Sequence, residues 1–400
     1  MAKAKKEKVV INLNADLTGF ASASRPSLSH EKIAGRFASP FLGGPPKNRD
    51  LMDLMAHMFT DEEADLVQHL PLFRPRTVEK VAALAGRSVE ESRRVLDNLA
   101  FRKRIVLASG NPRKFTLLPI VPGTFEMCLM TPDVTTLTEW HREFARIFER
   151  VWDTGFMADY QKRAFPVVRY LPVATAELPG KAVWPSERLA EILDQYDTFA
   201  LGACQCRVAM HFADKGCGRK LDACAVFGPA ALPIIERGMM RRVDKAEVLA
   251  AKIEAEKQGC VTFVANAVGD PRGNGSCSCC GDCCHALRMI TELSAPRAIA
   301  PPRFLPLLDE KKCNRCRVCQ RVCPMGAWSG TGDQRSFDRA RCIGCGLCVV
   351  HCKTQALTLS AAEKVRGPEK SYAALLARML PGYLYNAGRV TLARALSRKG

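Results

Sequence analysis

The chain has 400 residues, 47% hydrophobic and 25% charged, which is the balance of a soluble globular protein with room for two or three domains. No apolar run is long enough to cross a bilayer, and the basic N-terminus is not followed by the apolar core of a secretory signal. The net charge of +18 favours acidic partners, nucleic acid or a membrane surface, and the 19 cysteines, clustered at short gaps, suit shared metal centres better than disulfides, which points to a reducing, cytoplasmic setting.

Residues 1–50, rich in Lys, Ser, Pro and Gly, read as a poorly ordered arm. From 51 to 122 the pattern predicts helices and then a hairpin. Thr60 with Glu63 and Ser88 with Glu91 form capping-box pairs, and Thr77 caps a helix over Val78–Ala85 that Gly86 stops. A further helix is predicted over Val89–Ala100. The apolar runs Ile105–Leu107 and Phe115–Leu118 flank a Gly110-Asn111-Pro112 turn. This order resembles a winged helix-turn-helix domain. Between Arg74 and Lys114 there are eleven Lys/Arg (among them Arg93, Arg94, Arg113 and Lys114) against four acids. The resemblance implies either nucleic-acid contact or, the preferred reading, docking on a protein partner, because Glu90, Glu91 and Asp97 would repel phosphate.

Residues 123–300 read as a cysteine-rich α+β domain. Helices are predicted over Leu137–Trp152, Ser186–Gln195, Lys245–Gln258 (capped by Asp244) and Cys283–Leu293, with strands at Val167–Leu171 and Val261–Val264. The proline-rich stretch Ala295–Pro306 reads as a linker. A basic tail, 361–400, is expected to form two short helical stretches interrupted by Pro381-Gly382; it can dock on a partner or, as a peripheral contact, on a membrane surface.

Residues 308–360 carry the strongest signal. Cys313-x2-Cys316-x2-Cys319-x3-Cys323-Pro324 is repeated as Cys342-x2-Cys345-x2-Cys348-x3-Cys352. Three thiolates at two-residue gaps let a tight loop wrap three corners of one cubane, and the fourth starts a helix that reaches the other cluster. The repeat resembles the bacterial two-cluster ferredoxins. That resemblance implies one [4Fe–4S] cluster on Cys313, Cys316, Cys319 and Cys352, and another on Cys342, Cys345, Cys348 and Cys323. Lys353 departs from the family, where proline is usual. Paired zinc knuckles would normally be separated by a longer gap.

A second set of thiols lies upstream: Cys204, Cys206, Cys217 and Cys224, then Cys277, Cys279, Cys280, Cys283 and Cys284. Their pattern resembles the middle region of uncharacterised ferredoxin-like proteins of anaerobic bacteria and archaea, in which a winged-helix-like segment precedes and a ferredoxin module follows. The expected ligands of a third centre, an Fe–S cluster or zinc, are drawn from Cys204, Cys206, Cys217, Cys224, Cys277, Cys279, Cys280 and Cys283. Adjacent cysteines cannot easily serve one cubane, so the pairs can split between two centres. Arg207 and His285 can tune such a centre or simply bind local carbonyls. Cys128 and Cys260 stand alone and read as packing.

The whole therefore reads as an α+β protein with a winged-helix-like N-terminal domain, a cysteine-rich middle domain and a C-terminal dicluster ferredoxin-like domain. Its expected function is one-electron relay to a redox partner, acidic because Lys311, Lys312, Arg315, Arg317, Arg321 and Arg341 surround the clusters. The alternatives are an oxidoreductase that uses the middle cysteines and a redox-responsive DNA-binding regulator. No catalytic residue is assigned.

Overall fold

The computed structural model describes residues 19–179, 188–268, 270–330, 334–363 and 365–397. These fall into two compact units: 19–160 with 208–216 and 387–397, and 161–207 with 217–386. Helices and strands mix throughout, so the chain is α+β. Among the described residues no helix is long and apolar enough to cross a membrane.

The first unit opens with α1 (Leu28–Phe37), whose Ile33, Ala34 and Phe37 are buried. This corrects the reading of 1–50 as an arm: the apolar residues at i, i+1 and i+4 give α1 a core-facing stripe that its polar neighbours obscure. Residues 1–18 of that expected arm lie outside the described residues. Asn48 caps α2 (Arg49–Met58), accepting from Leu51 N–H, and the Thr60–Glu63 box starts α3 (Asp61–Val67). Next come β1 (Arg76–Thr77) and α4 (Val78–Ala85), which Gly86 ends at φ +67°. Ser88 caps α5 (Val89–Asp97). The helix expected to continue to Ala100 instead widens into a π turn over Asn98–Arg102.

Ile105 and Val106 are core residues ahead of the strand, and pairing begins at β2 (Leu107–Ser109), which joins β3 (Lys114–Thr116). The sheet order is β1-β3-β2, antiparallel. Beyond it lie α6 (Phe125–Leu129) and α7 (Glu139–Asp153). The aromatic face of α7 forms the core: Phe148 stacks on Phe125 at 4.1 Å and Trp140 on His57 at 4.9 Å. Cys128 is buried in α6, as expected for a packing thiol.

The second unit contains β4 (Val168–Tyr170), α8 (Leu189–Leu193), β5 (Phe199–Ala203), the first turn of α9 (Gln205–Phe212), whose remainder belongs to the first unit, and β6 (Asp222–Phe227). It continues with α10 (Leu232–Glu236), β7 (Arg241–Val243), α11 (Lys245–Lys257), β8 (Val261–Ala265), β9 (Asn274–Cys279) and α12 (His285–Thr291). Of the helix predicted over Ser186–Gln195 the described part is α8; Ser186 lies outside the described residues. One antiparallel sheet runs β4-β8-β9-β6-β5-β7. The inner strands β5, β6 and β9 carry buried Ala, Gly, Ser and Cys rather than alternating large residues, so no two-residue period announces them.

The expected linker is not one. Phe304–Leu308 forms β10, which pairs antiparallel with β13 (Leu357–Ala361), Phe304 opposite Ala361. An edge strand tolerates Pro306 because only one side of it needs a donor. Between these strands lie α13 (Val318–Val322), β11 (Trp328–Ser329), β12 (Ser336–Phe337) and α14 (Leu347–Val350). The tail also differs from expectation. One helix, α15 (Tyr372–Leu396), passes through Pro381. Gly382 is there for space rather than as a stop: a Cβ on it would lie 1.9 Å from the Arg163 carbonyl oxygen.

Candidate metal centres

The two cysteine repeats form matching loops. Each needs left-handed backbone two residues after its first cysteine and again just before its short helix. Arg315 (φ +59°) and Arg317 (φ +60°) supply these in the first repeat, Gly344 (φ +70°) and Gly346 (φ +77°) in the second. The turns aim backbone N–H groups at sulfur: Arg315 N lies 3.4 Å from Cys313 Sγ, and Gly344 N lies 3.4 Å from Cys342 Sγ. Ala327 N adds a donor 3.3 Å from Cys323 Sγ. Such N–H···S bonds favour thiolate.

The loops line two cavities open to solvent. One is lined by Cys313, Cys316, Cys319 and Cys352 together with Leu308, Arg335 and Leu357. The other is lined by Cys323, Cys342, Cys345 and Cys348 together with Met325, Trp328 and Leu347. Each cavity thus takes three cysteines from one repeat and the fourth from the other. Four thiols facing one hollow, with N–H donors on the sulfurs, suit a cubane. The two surroundings differ. Cys316 is exposed, whereas Cys345 and Cys348 are buried. Burial pushes the Cys342 thiol up to about 11 and that of Cys348 to about 12, so metal must displace their protons. Arg335, which the sequence did not single out, donates from Nη1 to Cys313 Sγ at 2.9 Å and is braced by Glu310 at 2.7 Å. Arg341 instead holds the Met325 carbonyl at 2.8 Å.

Comparison with known proteins agrees with this geometry. Residues 305–353 match the 4Fe-4S dicluster domain family. The subunit PorD of pyruvate synthase from Methanocaldococcus jannaschii is 36% identical over 62 residues, 15% of this chain and 72% of that protein. The archaeal-type glutamate synthase [NADPH] of Thermotoga maritima is 36% identical over 61 residues, 15% of this chain but 12% of that enzyme. An uncharacterised protein of M. jannaschii is 42% identical over 57 residues, 14% of this chain and 22% of its own length. Through its C-terminal module the chain belongs to the 4Fe-4S dicluster ferredoxin family. It spans only 12% of the length of the glutamate synthases it matches. No solved structure matches.

The middle thiols converge around the end of β9 and the start of α12. Cys217, Cys280 and Cys283 bring their sulfurs within 4.8 Å of one another, with Cys217 Sγ 3.7 Å from Cys280 Sγ. Beside them Arg219 pairs with Asp282. Four thiolates 2.3 Å from a tetrahedral zinc stand about 3.8 Å apart, so this triplet has the spacing of a single-ion site. The neighbouring cysteines in sequence turn elsewhere: Cys279 lies against Cys284, and Cys284 against Cys206, which in turn contacts Cys204. Cys284, absent from the expected ligand set, is therefore central to the second group. Cys224 Sγ lies 3.5 Å from Cys277 Sγ and 3.5 Å from the Gln205 amide oxygen. The Cys206 thiol, together with the Arg207 guanidinium, holds Cys204 down to about 5.

Arg207 donates to the Ser278 carbonyl at 2.9 Å, the local-carbonyl role, and lies 3.5 Å from Cys260 Sγ, so Cys260 is less isolated than its sequence position suggests. Lys252, on the buried face of α11, was not foreseen. It donates to the carbonyls of Ser276 (2.8 Å) and Ala223 (3.3 Å). The helical spacing puts it on the stripe of Val248 and Ala255, at i, i+4 and i+7, but a lysine there reads first as a solvent-face residue.

Proposed function

We propose that this protein relays single electrons through two [4Fe–4S] clusters to a partner oxidoreductase. The outer cluster is read on Cys313, Cys316, Cys319 and Cys352, and the inner on Cys342, Cys345, Cys348 and Cys323. The observation that carries this reading is the pair of cavities, each lined by four cysteines drawn three-to-one from the two repeats. PorD is by name a pyruvate synthase subunit, which supports a role alongside a separate catalytic chain. A third metal centre belongs to the same reading, with Cys217, Cys280 and Cys283 as its ligands. The test is iron and sulfide quantitation on anaerobically prepared full-length protein, with EPR after reduction. At least about eight irons are expected. About four or fewer in a well-folded sample sinks the two-cubane assignment.

The segment 51–122 is read as a winged-helix-like docking element for the partner rather than a DNA reader. Several of its cations pair with acids: Arg93 with Glu79 at 3.3 Å, Arg113 with Asp97 at 3.0 Å, and Arg87 with Glu62, Asp65 and Glu91. On α15, Leu376, Leu380, Leu384, Leu392 and Leu396 are exposed, a second surface suited to a partner. A salt-sensitive, sequence-specific DNA shift that depends on cluster oxidation would revive the regulator reading.

A further inference from the structure

We propose that the middle fold carries an additional iron–sulfur cluster on Cys204, Cys206, Cys279 and Cys284, beside the inner cubane and distinct from the Cys217–Cys280–Cys283 site. The proposal rests on the dicluster reading above, because it extends that relay by one station.

The ligand geometry comes from three elements. Cys204 directly follows β5 and Cys206 sits in the first turn of α9; Cys279 ends β9; Cys284 caps α12. Cys204, Cys279 and Cys284 are buried and Cys206 partly so. Cys206 interacts with Cys204 and with Cys284, and Cys284 with Cys279. The Tyr170 hydroxyl lies 3.7 Å from Cys284 Sγ. A single tetrahedral ion needs every sulfur close to every other. Among the described residues only the Cys217 triplet closes in that way. Four cysteines gathered by these contacts without closing around one point suit more than one iron.

The charge balance points the same way. Arg207 and Lys252 are each 2% exposed. Both flank these sulfurs, Arg207 beside Cys204 and Lys252 near Cys279 and Cys204. Among the described residues neither forms an ion pair with a carboxylate, and their hydrogen bonds go to carbonyls and to the sulfurs of Cys260 and Cys204. Buried cations with no carboxylate in ion-pair contact are balanced by negative charge on the sulfurs beside them. Four thiolates around an oxidised iron–sulfur core carry roughly two negative charges, which matches the two cations.

The position also fits. Cys279, Cys284, Met325, Cys345 and Leu347 share one buried cluster, and Val173 N–H donates to the Cys345 carbonyl at 2.8 Å. Gly281 lies so close to Pro324 that a Cβ on it would be 2.1 Å from that carbonyl oxygen. The centre therefore abuts the inner cysteine loop, and electrons can pass from outer cubane to inner cubane to buried cluster.

The test is full-length protein reconstituted anaerobically with iron and sulfide, measured by iron content and potentiometric EPR. Wild type is expected to bind about 10 to 12 irons, and the Cys206→Ser/Cys284→Ser variant about eight. Lys252→Met keeps every thiol and should move the midpoint of one EPR signal to a more negative potential while the two ferredoxin signals stay in place. About eight irons in the wild type, an unchanged count in a folded Cys206→Ser/Cys284→Ser variant, or no shift of any midpoint in Lys252→Met overturns the proposal. If the double serine variant does not fold, the wild-type count and the Lys252→Met midpoints decide. Failure of the dicluster reading looks different: fewer than about eight irons in total, with none lost on Cys345→Ser.

Discussion

Arg335 is the cation in hydrogen-bond contact with a cysteine sulfur of the outer loop, 2.9 Å from Cys313 Sγ. A cationic donor stabilises the more negative, reduced cluster, so its removal should make reduction harder. Arg335→Gln is expected to lower the outer cluster's midpoint by on the order of tens of millivolts and leave the inner one unchanged, read by potentiometric EPR. In the first unit the buried pair Lys103–Glu63 (2.7 Å) makes a comparable single-residue commitment. Lys103 also donates to the carbonyls of Ala21 and Met58, so its ammonium is fully enclosed by acceptors. Glu63→Gln leaves that cation without its counter-charge and should cost about 3–5 kcal/mol in urea unfolding at neutral pH. The double change Glu63→Leu/Lys103→Met should recover most of the loss.

The helices of the first unit begin on caps that the sequence displays, but α7 uses an unusual one. His141 Nδ1 accepts from Thr138 N–H at 3.1 Å in place of the usual glutamate. Burial holds the His141 imidazole down to about 3, with Arg104 and His57 adding to the effect. Burial likewise holds His57 down to about 4, against its bond to the Trp140 carbonyl. Both are neutral in the fold and take up protons on unfolding at about 6.5. Between about pH 6.5 and 4 the unfolded chain binds more protons, so stability falls as pH falls. Chemical denaturation of the apo protein should show this slope, and His141→Gln, which can still accept from Thr138, should flatten it.

The ferredoxin module has little core of its own. Its two sheets, β10–β13 and β11–β12, are two-stranded, and its centre is taken up by the two cysteine-lined cavities. A segment of about 50 to 60 residues built this way depends on its metal for cohesion. Anaerobic iron chelation is therefore expected to expose residues 304–361 to hydrogen exchange, while α2 and α7, held by stacked aromatics, stay protected. Equal protection of the module before and after iron removal would refute this dependence.

The two cysteine sets proposed as cubane ligands could be read from the sequence because the ferredoxin loop is local: spacing puts three cysteines in one loop, and the resemblance to two-cluster ferredoxins implies the exchange of the fourth. The caps of α3, α4, α5 and α11 were legible for the same reason, each depending on residues three apart. The middle cysteines were not. Whether Cys279 or Cys280 faces Cys217 depends on the pleat of β9 and on the loop that follows it, and Cys284 gains its neighbours only when α12 packs beside β5 and α9. Lys252 and Arg207 look like surface cations in sequence, and only the closure of α11 and α9 over the sheet buries them. Short-range covalent spacing sets the ligands of a loop, but partners drawn from distant strands, and the charge needed to balance them, exist only once the chain has folded.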